Sequence, residues 1–168
     1  RTNIGNPDLE PESAWTYELG YKYNRKGIFF QASGYYQAAS SVIDWTRTVD
    51  TLPWQPTNLN NINSTGIELS ADFRFDQILG KDSYLKRFYI GYHMINATLE
   101  IEDNVLSRYA LEHLNNQLSV AVEHRIYKNL YNSMKFRFVD RVTMDNYSVF
   151  DAKIFWKTKT STFFVEGT

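Results

Sequence analysis

The side chains that most often perform chemistry are sparse in this chain. Cysteine is absent, which removes disulfides, thiolate zinc sites and cysteine nucleophiles together. The three histidines, His93, His113 and His124, stand at no spacing from carboxylates that would close a metal site. No Gly-x-Ser-x-Gly elbow, His-Glu-x-x-His helix or phosphate loop occurs, and no Ser–His pair shares a strand face. The reading is therefore of a non-enzyme, with no catalytic residue, no protein-held metal and no cofactor.

What remains is charge repeated at every second position. Glu68, Asp72 and Arg74 alternate with Ile67, Leu69, Ala71, Phe73 and Phe75. His93 falls in the polar set opposite Phe88, Ile90, Tyr92 and Met94. Glu123 and Arg125 alternate with Leu118, Val120 and Val122, and Lys135 and Arg137 with Met134, Phe136 and Phe138. Charges at such positions would ruin the core of a soluble sandwich, whereas a water-filled lumen accommodates them. They read either as a solvated wall laced with cross-strand ion pairs or as the lining of a solute path. In the second reading Arg74 and Arg137 would meet an anionic solute. Trp45, Arg47, Trp54 and Gln55 form a separate candidate group for ligand contact in an outer loop, because aromatic and Arg side chains dominate binding hot spots. The competing reading puts Trp45 and Trp54 in an interfacial aromatic girdle, with Tyr21, Tyr23, Tyr35 and Tyr36 as further girdle candidates.

These residues need strands to position them, since strand side chains point to opposite faces in turn. Trp15, Tyr17, Leu19, Tyr21 and Tyr23 alternate with Thr16, Glu18, Gly20 and Lys22. A second run carries Ile28, Phe30, Ala32, Gly34 and Tyr36, and further runs follow at 67–75, 88–94, 117–125, 133–138 and 150–157. An eighth lies around Thr162 to Gly167. The expected fold is all-β: about eight consecutive up-and-down antiparallel strands forming a segment of a transmembrane barrel. Residues Asp76 to Leu85 could hold a helical turn, and Leu106 to Leu114 is ambiguous between helix and strand. The connections at 24–27, 127–129 and 157–160 are short, while roughly Thr46 to Asn61 reads as a long Pro-, Trp- and Asn-rich loop. Short turns at one end and long loops at the other are the pattern of an outer-membrane barrel, with the Asp76 to Lys86 connection its poorest fit.

Composition agrees. Aromatic residues make up 16% of a 168-residue chain whose mean hydropathy is only −0.45, which suits a wall greasy on one face and wet on the other. The net charge of −1, without a basic cluster, argues against nucleic acid as a partner. No apolar run is long enough for a transmembrane helix, and no signal-like segment opens the chain, as in a mature protein or a fragment. Asn63-Ser64-Thr65, Asn96-Ala97-Thr98 and Asn146-Tyr147-Ser148 match the glycosylation pattern by chance in a bacterial barrel. Two other classes stay open on composition: a soluble carbohydrate-binding β-sandwich and a passive porin-like barrel.

Several segments carry a family resemblance. Gly5-Asn6-Pro7-Asp8-Leu9-Glu10-Pro11-Glu12, with Trp15 to Gly20 behind it, resembles an Asn-Pro-x-Leu-x-Pro-Glu segment of TonB-dependent outer-membrane receptors. Val42-Ile43-Asp44-Trp45, Asn61 to Leu69 with Gly66-Ile67-Glu68, Asp140-Arg141 and Phe150-Asp151-Ala152-Lys153 are similar to later segments of that family in the same order. The resemblance implies active uptake of a scarce, large solute (a ferric siderophore, cobalamin or an oligosaccharide) energised through TonB. It implies a place in the outer membrane of a Gram-negative bacterium, with outer-membrane lipid, a plug domain and further barrel strands as partners. TonB itself would engage a region N-terminal to this chain, and a surface lipoprotein is a further partner the family allows. Residues 1–168 would form the C-terminal part of a barrel of about 22 strands, lacking the plug and the last strand.

Overall fold

The computed structural model describes residues 3–100, 105–107, 114–142 and 144–168. Its strands are β1 (Ser13–Arg25), β2 (Ile28–Arg47), β3 (Gln55–Arg74), β4 (Leu85–Glu100), β5 (Leu106–Ser107), β6 (Leu114–Tyr127), β7 (Leu130–Arg141), β8 (Tyr147–Lys157) and β9 (Thr162–Gly167). One short helix, α1 (Phe75–Ile78), stands between β3 and β4. The long strands pair antiparallel in the order β1-β2-β3-β4-β6-β7-β8-β9, and β5 pairs with the far end of β2. The eight expected strands are thus present as a single sheet. Among the described residues no helix is long and apolar enough to cross a membrane.

Register fixes what each face carries. Tyr17 lies opposite Tyr36, Tyr21 opposite Ala32 and Tyr23 opposite Phe30. The row of Tyr23 and Phe30 continues through Ala71, Ile90, Val120, Phe136 and Phe150, each opposite the one before it. The outward face is therefore apolar from edge to edge. Along β1 it runs from Trp15 to Tyr23, about 26 Å at the usual rise per residue, close to the apolar band of an outer-membrane barrel. Near the loop end the band gives way to polar groups: the Tyr36 hydroxyl donates to Asn63 Oδ1 and the Tyr92 hydroxyl to Asn116 Oδ1.

A conventional core is missing. Among the described residues the only buried hydrophobic side chains are Leu59, Val139 and Phe155, while Leu19 is 84% and Trp15 72% exposed. Apolar area of this size is unfavourable in water by roughly 2 kcal/mol for each large side chain left exposed. A lipid-facing wall removes that penalty.

Two expectations are corrected. The loop expected over 46–61 spans only 48–54, because β2 continues to Arg47 and β3 starts at Gln55. The β-branched residues Val42, Ile43, Thr46 and Thr57 hold that extension together, and the Thr46 and Thr57 hydroxyls meet at 2.7 Å. Pro56 lies opposite Trp45 of β2, and its carbonyl accepts from Asn6 Nδ2. The short helical turn that 76–85 could hold is present as α1, one turn at Phe75–Ile78. Tyr35, expected in the girdle, points inward: it stands opposite Gly66 on the polar face. Of the ambiguous stretch 106–114, Leu106 and Ser107 form β5 and Leu114 opens β6; the rest lies outside the described residues.

Candidate functional site

The inward face is the candidate site, and the strand pleat builds it. Alternate residues of β2, β3, β4, β6 and β7 bring Gln31, Ser70, Gly91, Ser119 and Arg137 into one transverse row. Glu68 joins His93 and Gln117 in the next row towards the loops. The row towards the turns holds Asp72, Tyr89, Ala121, Lys135 and Asp151.

Opposite charges neutralise one another across this surface. Arg87 grips Asp72 with two bonds, Nε to Oδ1 and Nη2 to Oδ2, both 2.8 Å. Such bidentate pairing fixes orientation as well as charge. Arg74 approaches the same carboxylate at 4.0 Å. Lys157 reaches Glu123 at 3.8 Å from β8, and Lys153 reaches Glu166 at 3.4 Å on β9. His93 Nε2 stands 3.5 Å from Glu68 Oε1 without forming a hydrogen bond. The pairs are half exposed, so each contributes at most about 1 kcal/mol; their larger effect is to keep the wall wet and free of net charge. Cavities open on this face. One of about 350 Å³ lies among Arg87, Glu123, Lys135, Asp151, Lys153 and Lys157.

The structure distributes the expected lumen residues unevenly. Asp72 and Glu123 join the ion-pair network, and His93 stands beside Glu68. Lys135 and Arg137 lie exposed on the same face with no carboxylate within ion-pair distance among the described residues. Arg125 departs from its expected role. Its guanidinium bonds the Asp82 backbone oxygen, pairs with the Asp82 carboxylate at 3.7 Å and lies 5.2 Å from the Tyr84 ring, so it anchors the long turn after α1. Arg87, outside the run that alternates from Phe88 onwards, lies within β4, which starts at Leu85. His124 falls on the outward parity opposite Asn132, and His113 lies outside the described residues. No three His, Asp or Glu side chains converge as metal ligands among the described residues.

The loop group is brought together at the far end of the β2–β3 hairpin. Trp45 lies opposite Pro56, and Thr46 opposite Gln55. The Arg47 guanidinium sits 4.3 Å from the centre of the Trp54 ring and also pairs with Asp50. The segment 3–12 straps this hairpin. The Ile4 N–H donates to the Trp54 carbonyl, Asn6 Nδ2 to the Pro56 carbonyl, and the Ile43 N–H to Glu12 Oε1. Asn58 bonds both the N–H and the carbonyl of Glu10. The Asn6 to Glu12 motif therefore has a mechanical reading: it clamps the outer lip.

Comparison with known proteins sets this geometry in context. The family model described as "TonB dependent receptor-like, beta-barrel" matches residues 1–167. A vitamin B12 transporter, BtuB, of Vibrio vulnificus is 33% identical over 69 residues, covering 41% of this chain and 11% of that protein. The BtuB of Photobacterium profundum is 29% identical over 83 residues, covering 48% and 14%. Among solved structures, the FrpB iron transporter from Neisseria meningitidis (F3-3 variant) superposes with a TM-score of 0.66 at 16% identity, covering 92% of this chain and 26% of that one. At that identity the likeness is one of fold. The chain spans a small part of each of these proteins.

Proposed function

Because the chain belongs to the TonB-dependent receptor β-barrel family, a family of the Gram-negative outer membrane, we propose that it is part of the wall of an active transporter for a scarce, large solute. A ferric siderophore, cobalamin or an oligosaccharide is the class of cargo, and TonB supplies the energy. The relatives named as vitamin B12 transporters support cobalamin. In this reading residues 1–168 belong to the C-terminal part of the barrel, the polar face borders the plug and the solute path, and the Trp45, Arg47, Trp54 and Gln55 lip contacts solute outside. The observation that carries the proposal is the two-faced sheet: apolar outward along every long strand, charged and ion-paired inward.

The test is growth of a deletion strain on single limiting sources of chelated iron, cobalamin or glycan. One source should fail to support growth, and removing TonB should reproduce that failure in the parent strain. Undiminished growth on all of them, or uptake indifferent to TonB, would overturn the proposal.

A further inference from the structure

The nine lysines of this chain are not spread over the sheet. All of them stand at or below the row of Gln31, Ser70 and Gly91, in the half nearest the short turns. Each of the four connections at that end carries one exposed lysine: Lys26, Lys81, Lys128 and Lys159. Arg25 joins them, and none of these five cations has a carboxylate within ion-pair distance among the described residues. The opposite rim has no lysine; there Asp8, Glu10 and Asp145 are exposed and Asp50 pairs with Arg47. In a chain of net charge −1 the lysines are thus gathered at one rim.

Lysines on turns are commonly no more than solvated. Backbone geometry argues for more here. Lys26 and Lys128 sit at φ of 41° and 44°, in the left-handed region. Gly or Asn occupies that region with less strain, and tight hairpins favour them for that reason. A lysine held there at two separate turns points to its charge. Aromatic neighbours mark the depth. Lys128 Nζ lies 5.1 Å from the ring of Tyr127, which is 64% exposed, and Tyr23 and Trp156 end the outward apolar face beside the other two hairpin turns. Tyr and Trp at the headgroup level, with Lys reaching past them, is how a membrane protein meets a bilayer surface.

We infer that the short-turn rim is a contact surface for anionic phospholipid headgroups of the leaflet surrounding the base of the barrel. The occupant follows from continuity, since that leaflet already covers the apolar face on which the rim ends, and from charge, since unpaired cations face a headgroup phosphate. This rests on placement in the outer membrane and not on the identity of the solute.

The experiment uses the full-length receptor in mild detergent, titrated with phosphatidylglycerol or phosphatidylcholine of identical acyl chains and read by native mass spectrometry. The parent should favour phosphatidylglycerol by about tenfold, on the scale of one to two cations near a charged surface. Combining Lys26→Asn, Lys81→Ser, Lys128→Asn and Lys159→Ser should abolish the preference, and arginine at all four positions should keep it. Heat-modifiable mobility checks folding, and if the combined variant fails that check the two halves of the set are compared separately. An unchanged preference, or one lost equally with arginine, would overturn the inference. A variant that keeps its lipid preference but loses uptake would overturn it in favour of a protein partner at this rim.

Discussion

Tyr35 and Gly66 face each other across β2 and β3, and the tyrosine ring fills the space the glycine leaves. A Cβ at Gly66 would stand 2.2 Å from that ring, so any larger residue must expel it. Tyr89 covers Gly91 in the same way, its hydroxyl 2.5 Å from where a Cβ would lie. An aromatic laid over a strand glycine restores the packing that glycine lacks. Gly66→Ala is therefore expected to destabilise the folded receptor by about 1–3 kcal/mol, read as a lower temperature for loss of heat-modifiable mobility. No shift would show that the ring moves aside freely. This glycine was legible as part of a Gly66-Ile67-Glu68 motif, but its reason was not. Strand parity alone places Tyr35 inward; only the register between β2 and β3 brings it onto Gly66.

Alternation made the strands legible wherever their faces meet different surroundings. From Ile67 to Arg74 one face meets lipid and the other water, so residue types separate at every step. The signal fades above Ile67, where the polar residues Thr65, Asn63, Asn96 and Thr98 stand on the outward parity. Both faces are wet there, and composition no longer reports the pleat. The extension of β3 back to Gln55 was hidden for that reason and because Pro56 reads as a strand breaker. Arg125 shows the other limit: parity puts it inward, yet the turn after α1 comes close enough to take its guanidinium. The turns carry their own prediction. Lys26 and Gly27 both have positive φ, as a type I′ hairpin requires. Lys26→Asn should raise the barrel's resistance to thermal unfolding by about 0.5–1 kcal/mol, because asparagine occupies the left-handed region with less strain. A fall in stability would mean that the lysine contributes to the fold and not only to the charge of the rim.

Taken whole, the sheet has two surfaces and almost no interior, with only Leu59, Val139 and Phe155 buried among its described hydrophobic residues. The 168-residue chain alone in buffer should aggregate or require detergent, which size-exclusion chromatography with light scattering would check. A monodisperse, detergent-free β-rich monomer would contradict the lipid-facing assignment of the Trp15 to Tyr23 face. The order of pairing has a kinetic consequence. Every long strand bonds the next long strand in the chain, and only β5 reaches back past its neighbours. Loop closure is short at nearly every step, and low contact order favours rapid assembly. Such a wall can grow by adding one hairpin at a time to an exposed edge, each new strand using the last as its template. Neighbours in the chain are then neighbours in the wall, and no long strand need search the whole chain for its partner.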